Sequence, residues 1–288
     1  MRKSLRQIKK QLKEVTKEML YSLVGEENYE VIDWKSEKKG ELNLEDWLQS
    51  QKILKPFKPT NFVSKVWKNQ SEKTAQNVQH LVSILNGKFD ELRIYGLGFP
   101  KLPKRIYYGD IPLHKKEIDP IGVPVFLFRN EKNWFGLMLN QGTNQRGNYL
   151  NLNNELDSFE YFDDIKMVFE GIDYQLVESS WNLKNSWNLE VGETAEETFS
   201  NLLINTLFLK KQTLSDFLNL ENVLFEWTDE YPIPEEKILN DFLTENLNNL
   251  QVWTIRYIIS REDWSVHYVW GQTDKMNWLG LQTVSYTF

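Results

Sequence analysis

The sequence from residue 251 to residue 288 reads QVWTIRYIIS, RED, WSVHYVWG, QTDK and MNWLGLQTVSYTF. Its three long runs are rich in β-branched and aromatic residues, which favour strands, and short polar stretches separate them. Neighbouring strands with such short connections pair antiparallel. The segment therefore predicts a three-stranded antiparallel meander.

A second strand-rich stretch lies in the middle of the sequence. VPVFLFR (123–129) and NWFGLMLNQ (133–141) are separated by Asn130, Glu131 and Lys132, a spacing that predicts a hairpin with a short loop. Apolar residues at helical spacing predict helices over 1–24, 43–54, 71–85, 194–211, 213–226 and 234–249.

The order of these elements indicates the fold class. Helices come first, then strands, then helices, then strands, which predicts an α+β fold rather than an α/β fold. We expect a helical N-terminal segment, a small central antiparallel sheet, a helical stretch and the C-terminal meander. Composition along the chain divides it into a mostly helical region 1–91, a β-rich region 92–192 with a proline-rich loop, and a third region 193–288.

The residue types exclude most catalytic chemistry. The 288-residue chain has no cysteine and three histidines, His80, His114 and His267, none of them at metal-ligand spacing. It contains neither a phosphate-binding loop nor a Gly-x-Ser-x-Gly motif. We therefore expect a protein that is not an enzyme and that uses no metal or other cofactor.

The N-terminal sequence predicts an amphipathic helix rather than a targeting segment. Single apolar residues alternate with charges there, and no stretch of the chain is apolar enough for a signal peptide or a membrane span. We expect a cytoplasmic protein without membrane contact. The apolar seam of this helix predicts packing on its own domain or on a sister subunit, and its basic faces leave contact with nucleic acid or an anionic surface as the alternative. The seam also predicts self-association, so we expect a homo-oligomer.

The aromatic content and the net charge favour a protein-binding function. The chain has 11 Trp, 12 Tyr and 16 Phe, and its net charge is −7. Trp and Tyr dominate interface hot spots, and an acidic protein can occupy the basic groove of an enzyme that acts on nucleic acid. We predict that a protein partner contacts the Trp-rich segment and the proline-rich loop, namely Trp181, Trp187, Phe99, Tyr107 and Tyr108.

In size and composition the chain is similar to phage-encoded counter-defence proteins, such as inhibitors of Gabija-type nuclease systems. The bias toward Asn, Lys and Leu is typical of the AT-rich genomes of low-GC bacteria and their phages. This similarity implies a partner that is a nuclease or a defence complex.

A short resemblance supports an alternative. Gly122–Phe128 followed by Trp134–Gly142 resembles the N-terminal DNA-recognition domain of McrBC-type restriction systems, in which a second strand ends in Leu-Asn-Gln-Gly. The resemblance implies a small α/β module that contacts nucleic acid. The residues expected to make those contacts are Lys101, Lys104, Arg105, Lys115, Lys116, Asn140 and Gln141.

Overall fold

The computed structural model describes residues 4–17, 19–21, 27–66, 72–98, 123–139, 149–152, 186–218, 234–259, 262–273 and 276–287. Its helices are α1 (Leu5–Val15), α2 (Ser36–Lys39), α3 (Leu44–Ser50), α4 (Pro59–Val66), α5 (Glu72–Lys88), α6 (Ala195–Asn205), α7 (Leu214–Leu218) and α8 (Pro234–Asn246). Its strands are β1 (Leu20–Tyr21), β2 (Glu27–Asn28), β3 (Glu30–Trp34), β4 (Leu54–Phe57), β5 (Glu91–Leu97), β6 (Val123–Arg129), β7 (Trp134–Leu139), β8 (Tyr149–Leu152), β9 (Ser186–Gly192), β10 (Leu209–Gln212), β11 (Asn248–Ile259), β12 (Glu262–Gln272) and β13 (Trp278–Thr287). The predicted α+β class is confirmed.

The chain divides into two compact units that do not follow chain order. Unit 1 contains Met1–Leu42, Leu209–Tyr257 and Arg261–Phe288, and unit 2 contains Asn43–Phe208 with Ile258–Ser260. The division into regions 1–91, 92–192 and 193–288 stays a prediction.

Unit 1 is built on a five-stranded sheet with the order β10-β11-β12-β13-β3. The predicted C-terminal meander is confirmed as β11, β12 and β13, and two further strands extend it. β10 pairs with β11 on one side, and β3, from the N-terminal part of the chain, pairs with β13 on the other. The sheet therefore joins segments that are far apart in the sequence.

The N-terminal helix packs on its own unit. Ile8 and Leu12 of α1 are buried in the same cluster as Leu243 of α8 and Leu279 of β13. Ser4 caps the helix and exchanges hydrogen bonds with Gln7. The prediction that the helix extends to residue 24 is wrong, because it ends at Val15 and the chain enters β1 at Leu20.

Unit 2 contains a six-stranded sheet with the order β4-β5-β6-β7-β9-β8, in which only β8 and β9 are paired in parallel among the described strands. The predicted hairpin is confirmed as β6 and β7, with Asn130 Oδ1 accepting the turn N–H groups of Lys132 and Asn133. On one face of the sheet, Phe62 of α4 lies 5.5 Å from Phe126, ring centroid to ring centroid. Helix α6 covers the other face.

Two helices end earlier than the sequence predicts. The helix predicted over 43–54 ends at Ser50, and the one predicted over 194–211 ends at Asn205. Lys52 and Leu207 then take left-handed backbone conformations, with φ of 61° and 66°, and the chain turns into the edge strands β4 and β10. Pairing of these strands with β5 and β11 outweighs the local helical pattern, and Leu207 is 42% exposed instead of facing inward.

Other boundaries differ by smaller amounts. The helix predicted over 71–85 continues through Gly87 and ends at Lys88, so its predicted end is wrong. Thr194 caps α6 by accepting the N–H of Glu197, and Glu197 accepts the N–H of Glu193. The helix predicted over 234–249 ends at Asn246. Of the helix predicted over 213–226, the structure describes the part that forms α7. Within the described part of the chain, no helix combines the length and the apolar character that a bilayer span requires.

Candidate protein-binding surface

Unit 2 carries a partly exposed group of charged and aromatic side chains, here called the Arg93 cluster. Strand alternation places Glu91, Arg93 and Tyr95 on one face of β5. The antiparallel register sets Arg129 of β6 opposite Glu91, and Trp134 of β7 opposite Arg129. The cluster consists of Glu45 on α3 together with Glu91, Arg93, Tyr95, Arg129 and Trp134.

Arg93 lies at the centre of this cluster. Its guanidinium carbon is 4.6 Å from the centroid of the Trp134 ring, within the range of a cation–π interaction. Its Nε donates to Glu91 Oε1 at 2.8 Å, and its Nη1 lies 3.5 Å from Glu45 Oε2. Burial lowers the pKa of Arg93, but the two carboxylates outweigh burial and raise it overall. Arg93 therefore stays charged and is held in one orientation.

Glu45 is fixed by a second set of donors. Tyr95 Oη donates to Glu45 Oε1 at 2.6 Å, and Gln49 Nε2 donates to the same oxygen at 3.2 Å. Burial, followed by the hydrogen bond to Glu45, raises the pKa of Tyr95 above its ordinary value, so the phenol keeps its proton. Asn43 caps α3 by accepting the N–H of Asp46 at 2.8 Å, which anchors the helix that carries Glu45.

Arg129 is the most exposed member of the cluster. Its side chain is 46% exposed, with Nη2 3.9 Å from Glu91 Oε2 and the guanidinium carbon 5.6 Å from the Trp134 ring. Trp134 itself is only 7% exposed and forms the base of the cluster. Arg, Tyr and Trp are the residue types that most often carry binding energy at protein interfaces. Because their neighbours already hold them in place, they lose little conformational freedom when a partner binds.

Unit 1 contains a buried polar network around His267. Thr254 Oγ1 lies 2.9 Å from His267 Nδ1, and His267 Nε2 lies 2.7 Å from Ser285 Oγ. The Phe217 ring centroid is 5.3 Å from that of the imidazole. Burial, with a smaller contribution from Lys210, lowers the pKa of His267 to about 3. The imidazole is therefore neutral, and it satisfies two hydroxyl groups inside the sheet, a structural role.

Most residues predicted to bind partners lie outside the described residues. These are Phe99, Lys101, Lys104, Arg105, Tyr107, Tyr108, Lys115, Lys116, Asn140, Gln141 and Trp181. The backbone of Trp187 lies in β9, between Leu139 of β7 and Leu150 of β8, and its side chain is outside the described part. The roles assigned to all of these residues stay predictions. Within the described ranges, no group of three or more His, Cys, Asp or Glu side chains could hold a metal ion.

None of the residues of the Arg93 cluster was predicted from the sequence as a site residue. Its alternating signal, Glu91-x-Arg93-x-Tyr95, is typical of a strand with one polar face. That signal could have identified β5 and its polar face. It does not indicate Glu45, Arg129 or Trp134, which reach the cluster only through the helix position and the strand register.

Residues 6–107 match the family model described as nuclease A inhibitor-like protein. The match covers about a third of the chain and includes Glu45, Glu91, Arg93 and Tyr95, but not Arg129 or Trp134. No curated protein matches the chain. These comparisons show no resemblance to McrBC-type systems, and residues 122–142 lie beyond the matched segment.

Proposed function

We propose that the chain is a non-catalytic protein that binds and inhibits a nuclease. The observation that carries the proposal is the match over residues 6–107 to the family model described as nuclease A inhibitor-like protein. The net charge of −7 agrees with it, since a nuclease binds the phosphates of its substrate in a basic groove. An acidic protein seated over that groove excludes the nucleic acid by occupying its place.

The Arg93 cluster supports this proposal as a binding surface. Arg93, Arg129 and Trp134 form a preorganised aromatic and charged centre on the sheet of unit 2. Such centres hold most of the binding energy of an interface, while the surrounding contacts exclude water. We propose Phe99, Tyr107, Tyr108, Trp181 and Trp187 as further contacts with the same partner.

A narrower proposal concerns the biological setting. The similarity in composition to phage counter-defence proteins supports a chain made by a phage or a low-GC bacterium, acting in the cytoplasm against the nuclease of a defence system. The apolar seam of α1 is covered within its own unit, so self-association, if it is part of the function, uses another surface.

The test is a plasmid degradation assay with purified nuclease A and increasing amounts of the chain. We expect the cleavage rate to fall as the chain approaches stoichiometric amounts, and the two proteins to co-elute without nucleic acid. Unchanged cleavage together with no complex would contradict inhibition of this enzyme class. Direct binding of the chain to the plasmid, lost steeply as salt rises, would instead favour the DNA-recognition alternative.

A further inference from the structure

Two five-residue stretches of the chain are nearly identical and lie at equivalent places in the two sheets. NWFGL (133–137) begins β7, and NWLGL (277–281) begins β13. Trp134 and Trp278 are each 7% exposed. Both glycines lie in close contact with neighbouring atoms: a Cβ on Gly136 would be 3.0 Å from Thr198 Cγ2, and one on Gly280 would collide with the carbonyl oxygen of Val269.

The equivalence extends over six consecutive elements. Among the described residues, both units have the same order of strand, two helices and three strands. This first series in unit 2 is β4, α4, α5, β5, β6 and β7, and the second series in unit 1 is β10, α7, α8, β11, β12 and β13. Both series begin after a left-handed residue, Lys52 or Leu207. In the helix that follows, the N–H of Phe62 donates to Lys58 O, and the N–H of Phe217 donates to Thr213 O, at 3.0 and 3.1 Å.

Strand registers agree as well. Leu54 is opposite Leu97 in one sheet, and Leu209 is opposite Ile255 in the other. Four buried positions of the longer helices match. Those of the first series are Val78, Leu81, Leu85 and the following Phe89, and those of the second are Glu236, Leu239, Leu243 and the following Leu247. A fifth differs, because Val82 is buried and its counterpart Asn240 is half-buried.

The fifth strand of each sheet is the strand that precedes the other series in the chain. Trp134 is opposite Gly192 of β9, and Trp278 is opposite Trp34 of β3. In chain order, β3 precedes the first series and β9 precedes the second. This order and pairing are those expected of two copies of one module, each of which contributes its first strand to the sheet of the other.

The copies differ in charge around the Arg93 cluster. Three charged side chains in unit 2 have amide side chains at the equivalent positions of unit 1: Asn249 for Glu91, Gln251 for Arg93 and Gln272 for Arg129. Asn249 Nδ2 donates to Gln272 Oε1 at 2.7 Å, where Arg129 Nη2 lies 3.9 Å from Glu91 Oε2. The contact between these two positions is therefore present in both units, but in unit 1 neither side chain is charged.

A second charge difference follows the fifth strand. The segment after β9 reads ETAEE (193–197), and the segment after β3 reads KSEKK (35–39). Three positions carry opposite charges in the two copies, and all six side chains are exposed: Glu193, Glu196 and Glu197 against Lys35, Lys38 and Lys39. Because Gly192 is opposite Trp134, the acidic segment begins one residue beyond the base of the Arg93 cluster.

We infer that the two copies are specialised by charge, and that the nuclease binds the end of the unit 2 sheet formed by the Arg93 cluster and the Glu193–Glu197 segment. This inference rests on the proposed function. The partner surface is the basic, phosphate-binding groove of the enzyme, which the three glutamates attract and the three lysines of unit 1 repel. Within the Arg93 cluster, Glu45 and Glu91 balance the charges of Arg93 and Arg129, so the glutamates of the segment set the net charge of the surface. The chain therefore binds one nuclease molecule through unit 2.

The test exchanges the charges between the copies. E193K/E196K reverses the charge at two of these three positions of unit 2, and K35E/K38E, the matched control, reverses the equivalent two in unit 1. We expect E193K/E196K to weaken binding of nuclease A about tenfold or more, mainly at low salt, and K35E/K38E to leave the dissociation constant within about twofold. Calorimetry of the wild-type chain should give one nuclease per chain.

Lysines near the start of α6 oppose the helix dipole, so E193Q/E196Q is the companion variant, which removes the charges without adding opposite ones. Thermal unfolding of each variant checks the fold. Wild-type affinity in both E193K/E196K and E193Q/E196Q would overturn the assignment to unit 2 while leaving inhibition intact. Two nuclease molecules per wild-type chain would overturn it as well. A wild-type chain that neither binds nor inhibits the nuclease would overturn the proposed function itself.

Discussion

The buried histidine of unit 1 makes the stability of the chain depend on pH in a calculable way. His267 has a pKa of about 3 in the folded state, against an ordinary value of 6.5, because burial and Lys210 disfavour its charged form. Below pH 6.5 the unfolded chain binds a proton at this residue that the folded chain does not bind. The contribution of His267 to stability is therefore complete above pH 6.5 and is lost progressively as the pH falls toward 3.

The expected magnitude follows from the linkage relation. Each pH unit between the two pKa values costs about 1.4 kcal/mol, so acidification to about pH 5 should lower the free energy of unfolding by about 2 kcal/mol through this residue alone. The hydroxyl groups of Thr254 and Ser285 cannot offset the loss, because neither carries a negative charge that would stabilise the imidazolium.

The assay is urea unfolding of the wild-type chain and of His267→Gln, followed between about pH 7 and pH 5. Carboxylates contribute equally to both proteins, so the difference between the two pH profiles isolates the histidine. The wild-type chain should lose about 2 kcal/mol more than the variant over this interval. Parallel profiles would show that His267 is not buried as a neutral group, and the reasoning would fail.

Three further predictions test other parts of the structure. Gly280→Ala should destabilise the chain by at least about 1 kcal/mol more than Gly136→Ala, because the added Cβ meets a backbone carbonyl at the first site and movable side-chain atoms at the second; equal costs in denaturant unfolding would contradict this. Tyr95→Phe removes the hydroxyl that donates to Glu45 and should cost about 1–2 kcal/mol, and ultraviolet titration should lose a tyrosine that ionises above the ordinary range; an unchanged titration curve would refute the assignment. Deleting residues 1–34 removes β3, so the amide protons within 278–282 that bond to β3 should exchange rapidly, while those of β13 that bond to β12 and those of β7 stay protected; continued protection of the amides that face β3 would contradict the pairing.

Strands with a strong local signal could be predicted from the sequence. The hairpin of β6 and β7 follows from two apolar runs with a short polar loop, and the C-terminal meander follows from three such runs. The helical seam of Leu5, Ile8 and Leu12 likewise indicated a helix with one buried face. In each of these cases, neighbours in the sequence determine the structure.

The edge strands could not be predicted in this way. β4 includes Pro56 and follows Lys52, a non-glycine residue with φ of 61°, and both features are typical of a connection rather than a strand. β3 and β10 are short, and their pairing partners are distant in the chain. Their formation depends on tertiary contacts that no local pattern records.

The candidate site depends even more on tertiary structure. Ser-Trp-Asn-Leu occurs twice, six residues apart, in the segment that contains Trp181 and Trp187, so this short repeat is evident from the sequence. The longer-range repeat, NWFGL and NWLGL, shares only four of its five residues and lies in halves of the chain that otherwise differ in sequence. The register of the two sheets makes that repeat visible, and the same register brings Arg93 and Arg129 onto Trp134.

The pairing of β3 with β13 also affects the order in which the chain can fold during synthesis. At roughly 5–20 residues per second, β3 is made on the order of tens of seconds before its partner exists. Unit 2 has no such delay, because strands β4 to β9 all lie within Asn43–Phe208. The sheet that carries the Arg93 cluster can therefore form on the ribosome before β13, the partner of β3, has been synthesised. The sheet of unit 1 is completed last.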